Sequence, residues 1–390
     1  MSSMEFPETE AEIEPTSPES LKRRIDAGDR VTLLDTRAQS DFEEWHITDD
    51  TVTTINVLYF EFLDGIDDEL VADIPADEPV VVTCAKGKSS EFVAGLLADA
   101  GYNTSHLADG MRGWARLYDH TDVELSTGTL VRQYRRPSSG CLAYMIVNDG
   151  AAAVIDPLRA FVERYEADAA DLGADVEYVL DTHIHADHIS GLRELAAATG
   201  ATAVLPAAAA DRGATYTADV RTVRDGDTLA VGEATLAVLA TPGHTSGMTT
   251  YRIDEELALT GDTLFIDSVA RPDLEEGDAG AQAAAEQLYE TLHERLLTLP
   301  DETLVGPAHF GETTEPRSDG TYLASLGNLG EQLDLLGLDQ DAFVGRVLDD
   351  TPPRPANYEE IIATNLGQAR ADDDEAFTME LGPNNCAAGD

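Results

Sequence analysis

Lysine is almost missing from this sequence: Lys22, Lys86 and Lys88 are the only three, and the other 22 basic residues are arginine. Against 25 basic residues stand 75 acidic ones, a formal net charge of -50 over 390 residues. A field of that sign repels nucleic acid and anionic membrane and excludes both as partners. The acidic residues are spread along the chain rather than gathered in blocks, so the charge reads as a surface property and not as a patch for one basic partner. High salt would screen the self-repulsion, which makes the cytoplasm of a high-salt organism the expected home. Cysteine is equally sparse. Cys84, Cys141 and Cys386 are an odd number without framework spacing, which excludes a disulfide scaffold and implies reduced thiols. No apolar run approaches a membrane span, and the N-terminus lacks a charged-then-apolar export signal, so a soluble, unexported protein is expected. Self-association into a homo-oligomer is left open.

What is present argues for folded domains. With 43% hydrophobic residues and clear periodic segments the chain is not disordered, and its length suits two or three domains. Residues 1–16 lack apolar periodicity and read as an acidic flexible tail. From 17 to 120 short apolar strands (31–35, 54–57, 79–83, 104–107) alternate with helices, as in a parallel α/β domain. Residues 121–129 are polar and read as a linker. A second domain is expected over 130–370, opening with β-like segments and ending in a helical extension, and 371–390 reads as an acidic C-terminal tail.

The second domain contains Thr182-His183-Ile184-His185-Ala186-Asp187-His188, directly after the apolar run 176–180. Four metal-donor side chains within six residues, at a strand end, read as a metal cradle. Alternate residues 183 and 185 can reach one point. Residues 187 and 188, where a helix is expected to begin, reach a neighbouring one. His244, Asp262 and His309 also lie at or just past the ends of expected strands, so five of the nine histidines occupy such positions. In the first domain Cys84-Ala85-Lys86-Gly87-Lys88-Ser89-Ser90 lies between a valine-rich strand and a helix. Backbone N–H groups, a helix N-terminus and two of the three lysines would stabilise a thiolate or persulfide anion there. Cys141, at a strand start, reads as a core residue, and Cys386 receives no role.

The set H-x-H-x-D-H, T-P-G-H, T-G-D and P-A-H, at 183–188, 241–244, 260–262 and 307–309, resembles the metallo-β-lactamase superfold over about residues 128–315. That resemblance implies an αβ/βα sandwich with metal at its edge. In two-metal members one site would match His183, His185 and His244, the other Asp187, His188 and His309, with Asp262 bridging. The run Thr260-Gly261-Asp262-Thr263-Leu264-Phe265-Ile266, continuing to Ala270-Arg271-Pro272-Asp273-Leu274, resembles the persulfide dioxygenase and glyoxalase-II-like branch. It implies Arg271 and Asp273 as substrate-binding residues, with Ala270 and Pro272 standing where persulfide dioxygenases have Gly and Thr. The resemblance further implies one Fe(II) held by His183, His244 and Asp262, or alternatively one or two zinc ions. Residues 17–120, from Leu34-Asp35-Thr36-Arg37 through the cysteine loop to Gly110-Met111-Arg112-Gly113-Trp114, resemble a rhodanese domain. Cys84 would then accept a sulfane sulfur, with Lys86, Lys88 and Ser89 in its catalytic loop; many rhodaneses have Arg at the Ser89 position.

Together these resemblances imply a persulfide dioxygenase and sulfurtransferase fusion acting on a small thiol persulfide, oxygen, and sulfite or thiosulfate. The alternatives are a zinc-dependent glyoxalase-II-like thiolester hydrolase with an accessory rhodanese domain, and a sulfur carrier with a structural metal domain.

Overall fold

The computed structural model describes residues 6, 7, 9–311 and 313–388. The first five residues and residue 8 of the expected N-terminal tail, and the last two of the expected C-terminal tail, lie outside them. The chain divides into two compact units, Met1–Leu117 and Tyr118–Asp390.

In the first unit five strands, β1 (Pro15–Thr16), β2 (Val31–Asp35), β3 (Val52–Asn56), β4 (Val80–Thr83) and β5 (Thr104–Leu107), form a parallel sheet in the order β1-β5-β4-β2-β3. Because strand side chains alternate in direction, Val80 and Val82 pack with Phe92 and Val93 on one face, while Val81 packs with Leu21 and Met111 on the other. Both faces are therefore covered, which is why these strands read as continuous apolar runs. The helix Pro18–Asp26 starts with proline in its first turn, and the Ser17 side chain caps the Ser20 amide. The expected tail is held over the part described. Pro15 and Thr16 pair with β5, and the amides of Glu10 and Ala11 donate to Asp99. Edge pairing through backbone needs no apolar period, so composition could not reveal it.

The second unit is a two-sheet sandwich. One sheet contains β6 (Asp119–Glu124), β7 (Leu130–Arg136), β8 (Cys141–Asn148), β9 (Ala151–Ile155), β10 (Asp175–Leu180), β11 (Thr202–Pro206) and β12 (Arg221–Val223), in the order β12-β11-β10-β9-β8-β7-β6. The other contains β13 (Thr228–Val231), β14 (Ala234–Ala240), β15 (Thr249–Ile253), β16 (Leu257–Gly261), β17 (Leu304–Pro307) and β18 (Ala324–Ser325), ordered as numbered. Strand alternation again builds the layers. Ala151, Ala153 and Ile155 face the second sheet, meeting Leu236, Val238 and Tyr251, while Ala152 and Val154 face Tyr165, Leu192 and Leu195 on helices outside. The second sheet's outer face packs Val305 against Leu288, Leu292, Phe343 and Val347 of its own helices. The chain is thus an α/β protein, with a parallel-sheet unit followed by an αβ/βα sandwich. No helix among the described residues is long and apolar enough to cross a membrane.

Two segments differ from expectation. Residues 119–124, running from the end of the expected first domain into the segment read as linker, are an edge strand pairing antiparallel with β7, and Arg132 grips Asp122 across the pair at 2.7 and 2.8 Å. A half-exposed polar edge carries no apolar alternation, which hid it. The expected C-terminal tail folds back into the sandwich. Asp373–Met379 is a helix closed by an Asp372/Glu375 capping box, and Cys386 is 0% exposed.

This C-terminal region clamps the loop that follows β10. Asn365, closing the helix Tyr358–Asn365, donates from Nδ2 to the carbonyls of His185 and His188, both at 2.9 Å, and accepts the Ser190 amide at 2.9 Å. Glu380 accepts the Ile189 amide at 3.0 Å and pairs with the buried Arg136 at 2.9 Å. Asn365→Ala strands three buried backbone groups at once and is expected to cost roughly 2–4 kcal/mol, read as a lowered midpoint in chemical denaturation. An unchanged midpoint would refute the clamp.

Candidate metal centre

Four strand ends converge at one edge of the sandwich. The loop after β10 brings His183, His185, Asp187 and His188; Thr241-Pro242-Gly243-His244 follows β14; Asp262 follows β16; and Ala308-His309 follows β17. All seven donor side chains are buried. The glycines in two of these turns have a steric reason. Gly243 has φ +145, and a Cβ there would meet the Leu288 Cα at 2.6 Å; Gly261 has φ +52, and a Cβ would meet the Met248 Cε at 2.1 Å. One expectation is corrected. Residues 187 and 188 lie on irregular loop, and the helix begins at Leu192 after Gly191, so loop geometry and not a helical turn aims them.

Six of the seven residues sort into an open group and a closed one. His183, His244 and Asp262 form the open group, with His183 Nε2 and His244 Nε2 each 3.6 Å from Asp262 Oδ2. None of those three atoms makes a hydrogen bond although all are buried. The opposite ring nitrogens are fixed: His244 Nδ1 donates to the Arg271 carbonyl at 2.9 Å, and His183 Nδ1 lies 2.9 Å from the Thr182 hydroxyl, which itself donates to Asp156. That sets both tautomers with the Nε2 lone pair facing inward. Burial pushes His183 down to about 3 and also lowers His244, so both rings stay neutral. Two neutral imidazoles and a carboxylate with unmet lone pairs fit a divalent transition ion.

In the closed group the donors face one another, although Asp187 Oδ1 and His188 Nε2 are buried without a partner. Asp187 Oδ2 accepts from His309 Nε2 at 2.8 Å, His188 Nδ1 at 3.0 Å and Cys141 Sγ at 3.2 Å, while His309 Nδ1 meets Asp262 Oδ1 at 2.6 Å. Burial opposes a charge on His188 and His309, but Asp187 beside the first, and Asp262 with Asp187 beside the second, hold both well above the ordinary imidazole value. His185 stands outside both groups. Its Nε2 is 3.0 Å from Asp156 Oδ1, and its Nδ1, without a hydrogen bond, is 4.0 Å from Asp187 Oδ1.

Two cysteines that sequence reasoning left aside belong here. Cys141 Sγ joins Asp187, His188 and His309, and Cys386 joins Asp262 and His309. Their separation in sequence from every histidine motif gave no signal. Arg271, expected at the substrate, is 1% exposed and already spends four of its five N–H groups: two on Asp273, one on the Pro353 carbonyl and one on the Asn385 carbonyl. Asp273 is bound in turn by Arg354 at 2.8 Å. The pair is a pin that fixes the C-terminal segment and, through the Arg271 carbonyl, aims His244.

In the first unit Cys84, 3% exposed, directly follows β4, and Gly87 caps the helix Lys88–Asp99. The Gly87 amide donates to Cys84 Sγ at 3.1 Å, and the Ser90 hydroxyl lies 3.2 Å from the same sulfur. Amides of Met111 and Arg112 tie down the loop by donating to the carbonyls of Cys84 and Ala85. The hydroxyl that meets the sulfur is therefore Ser90; Ser89 lies one residue before it and is half-buried. Lys86 and Lys88 are exposed at the loop rim.

Comparison with known proteins finds a match for each of the two units. Residues 17–117 match the rhodanese-like domain, and residues 137–309 match the metallo-beta-lactamase superfamily. The mitochondrial persulfide dioxygenase ETHE1 of Bos taurus is 34% identical over 200 residues, covering 50% of this chain and 72% of that protein. A hydroxyacylglutathione hydrolase of Rhodospirillum rubrum is 38% identical over 235 residues, covering 59% and 83%. The crystal structure of ETHE1 from Myxococcus xanthus superposes with a TM-score of 0.53 at 31% identity, covering 61% of this chain and 99% of that one. Domain matches and relatives agree that this chain belongs to the metallo-beta-lactamase superfamily, alongside persulfide dioxygenases and hydroxyacylglutathione hydrolases, and carries a rhodanese-like domain ahead of its sandwich.

Proposed function

We propose that this protein is a persulfide dioxygenase joined to a sulfurtransferase. His183, His244 and Asp262 would hold one iron(II), and Cys84 would carry sulfane sulfur. The observation that carries the reading is the contrast between the two donor groups: in one, all three facing donor atoms lack partners, with Asp262 Oδ2 3.6 Å from each histidine nitrogen, whereas in the other Asp187 Oδ2 is hydrogen-bonded to His188 and His309 and only Asp187 Oδ1 and His188 Nε2 are left without partners. Bound iron of this two-histidine, one-carboxylate type supplies open positions at which a thiol persulfide and oxygen can meet. The chain's own contribution is orientation and charge. Thr182 and the Arg271 carbonyl hold the two imidazoles in the ligating tautomer. The Asp262 carboxyl is disfavoured as an anion by burial, yet His309 and then His183 hold it well below the ordinary carboxyl range, so it remains a charged donor. The overall reaction consumes one persulfide, one oxygen and one water and yields thiol and sulfite. At Cys84 the thiolate would attack the outer sulfur of a persulfide, breaking that S–S bond, forming a new one on Cys84 and releasing thiol. Sulfite attack on the Cys84 persulfide would then give thiosulfate and return the thiolate. One chain carrying both centres raises the effective concentration of the shared sulfur species.

A second reading has its own support. The Rhodospirillum rubrum relative is named as a hydroxyacylglutathione hydrolase, and every donor a two-zinc hydrolase would use is present in this chain. With zinc, an activated hydroxide would attack a thiolester carbonyl. In a third reading the sandwich metal is structural and Cys84 alone turns over.

Iron-loaded full-length protein is expected to consume oxygen with a low-molecular-weight thiol persulfide and to release sulfite. Oxygen-electrode traces without uptake, together with brisk thiolester hydrolysis, would instead establish the second reading. His244→Ala or Asp262→Asn should lower both iron retention and oxygen uptake by more than about 100-fold. If either variant keeps full activity while Cys84→Ser loses all of it, the third reading holds. Cys84→Ser should leave oxygen uptake intact and abolish transfer of sulfur to sulfite, followed as thiosulfate formation; loss of oxygen uptake in that variant would contradict a separate transfer site.

A further inference from the structure

Cys141 is buried, belongs to no ligand motif and stands in the half of the cradle that the one-ion reading leaves unused. We propose that its sulfur keeps that half closed to a second metal ion, making Cys141 the residue that sets the metal count. The inference rests on the one-ion reading above.

The position of the sulfur is fixed by the backbone. Cys141 opens β8, is bridged to His309, and is followed by Leu142, whose amide donates to the Ala308 carbonyl at 2.7 Å. The strand that carries the thiol is therefore in register with the turn that carries His309. The Ser139 hydroxyl donates to the sulfur at 3.0 Å, and the sulfur donates to Asp187 Oδ2 at 3.2 Å. That oxygen also takes His309 Nε2 at 2.8 Å and His188 Nδ1 at 3.0 Å.

The spacing separates the two halves. Bonds of about 2.0–2.2 Å from zinc to N or O place neighbouring ligands of a tetrahedral shell about 3.4 Å apart. The 3.6 Å separations of the open group match such a shell, whereas 2.8, 3.0 and 3.2 Å around Asp187 are contracted below it. Asp187, His188 and His309 supply the donors a second ion would need, and Asp187 Oδ1 and His188 Nε2 are buried without partners, but a large sulfur atom, pinned by Ser139, stands 3.2 Å from Asp187 Oδ2. An ion could enter only by displacing that sulfur.

Zinc counts test this. Full-length protein, stripped with a chelator and re-equilibrated with zinc, is analysed by native mass spectrometry and elemental analysis. All proteins carry Cys84→Ala so that the rhodanese-like loop binds no zinc. The chain with Cys141 intact should hold one ion, and both Cys141→Ala and Cys141→Ser should hold two. The two substitutions remove sulfur bulk in different ways, and retention of the first ion in each reports that the cradle is folded. One ion in the parent and one in both folded variants overturns the role of Cys141 while leaving the one-ion reading intact. Two ions in the parent overturn the one-ion reading itself.

Discussion

Burial of charge without water governs the sandwich edge. Asp156, Asp181, Asp187, Asp262 and five histidines are nearly inaccessible within a few ångströms of one another. Each charge taken from water costs several kcal/mol unless it is paired or bound to a metal. The structure meets that cost unevenly. Around Asp187 protons are shared between side chains, leaving Asp187 Oδ1 and His188 Nε2 without partners, whereas at the open group all three facing atoms, His183 Nε2, His244 Nε2 and Asp262 Oδ2, have none. A cation at the open group would relieve the deficit, which would couple metal binding to domain stability.

Holding unpaired donors in place requires support from outside the donor loops. The Thr182 and Asp156 pair orients His183, Asp156 also orients His185, and the Arg271 carbonyl orients His244. Farther out, Asn365 and Glu380 satisfy the loop backbone between 185 and 190, and Arg271 draws in residues 353 and 385. Asn365, Glu380 and the stretch around Asn385 therefore support the candidate metal centre, although none of the four donor motifs includes them. Removing an outer contact of this kind changes ligand geometry before it changes fold.

The convergence of the candidate donors was legible because donor chemistry at strand ends has few other uses and because the motifs recur after four separate strands. The layers were legible from alternation: Val80, Val81 and Val82 face opposite cores, as do Ala152 and Ala153. Contacts without local pattern were not legible. Cys141 and Cys386 reach His309 across long stretches of chain, β6 is joined by backbone pairing and by Arg132 and Arg135, and Ser90 instead of Ser89 meets Cys84 because a single residue changes a side chain's direction at the start of a helix. Arg271 was visible as a motif residue, but its buried state depends on Pro353 and Asn385, far along the chain.

Nuclearity lies beyond the motif for the same reason. His-x-His-x-Asp-His supplies donors for one ion or two, and sequence spacing does not say whether opposing donors stand far enough apart to surround a cation. That depends on what else enters the shell. Here the register between β8 and the His309 turn delivers a sulfur atom to Asp187, while the φ +145 turn at Gly243 lets His244 face Asp262 with nothing between them. One backbone pairing fills one half of the cradle and one glycine turn leaves the other half open. The distinction between an oxidative one-metal centre and a hydrolytic two-metal centre would then reside in packing around a shared ligand set, not in the ligands.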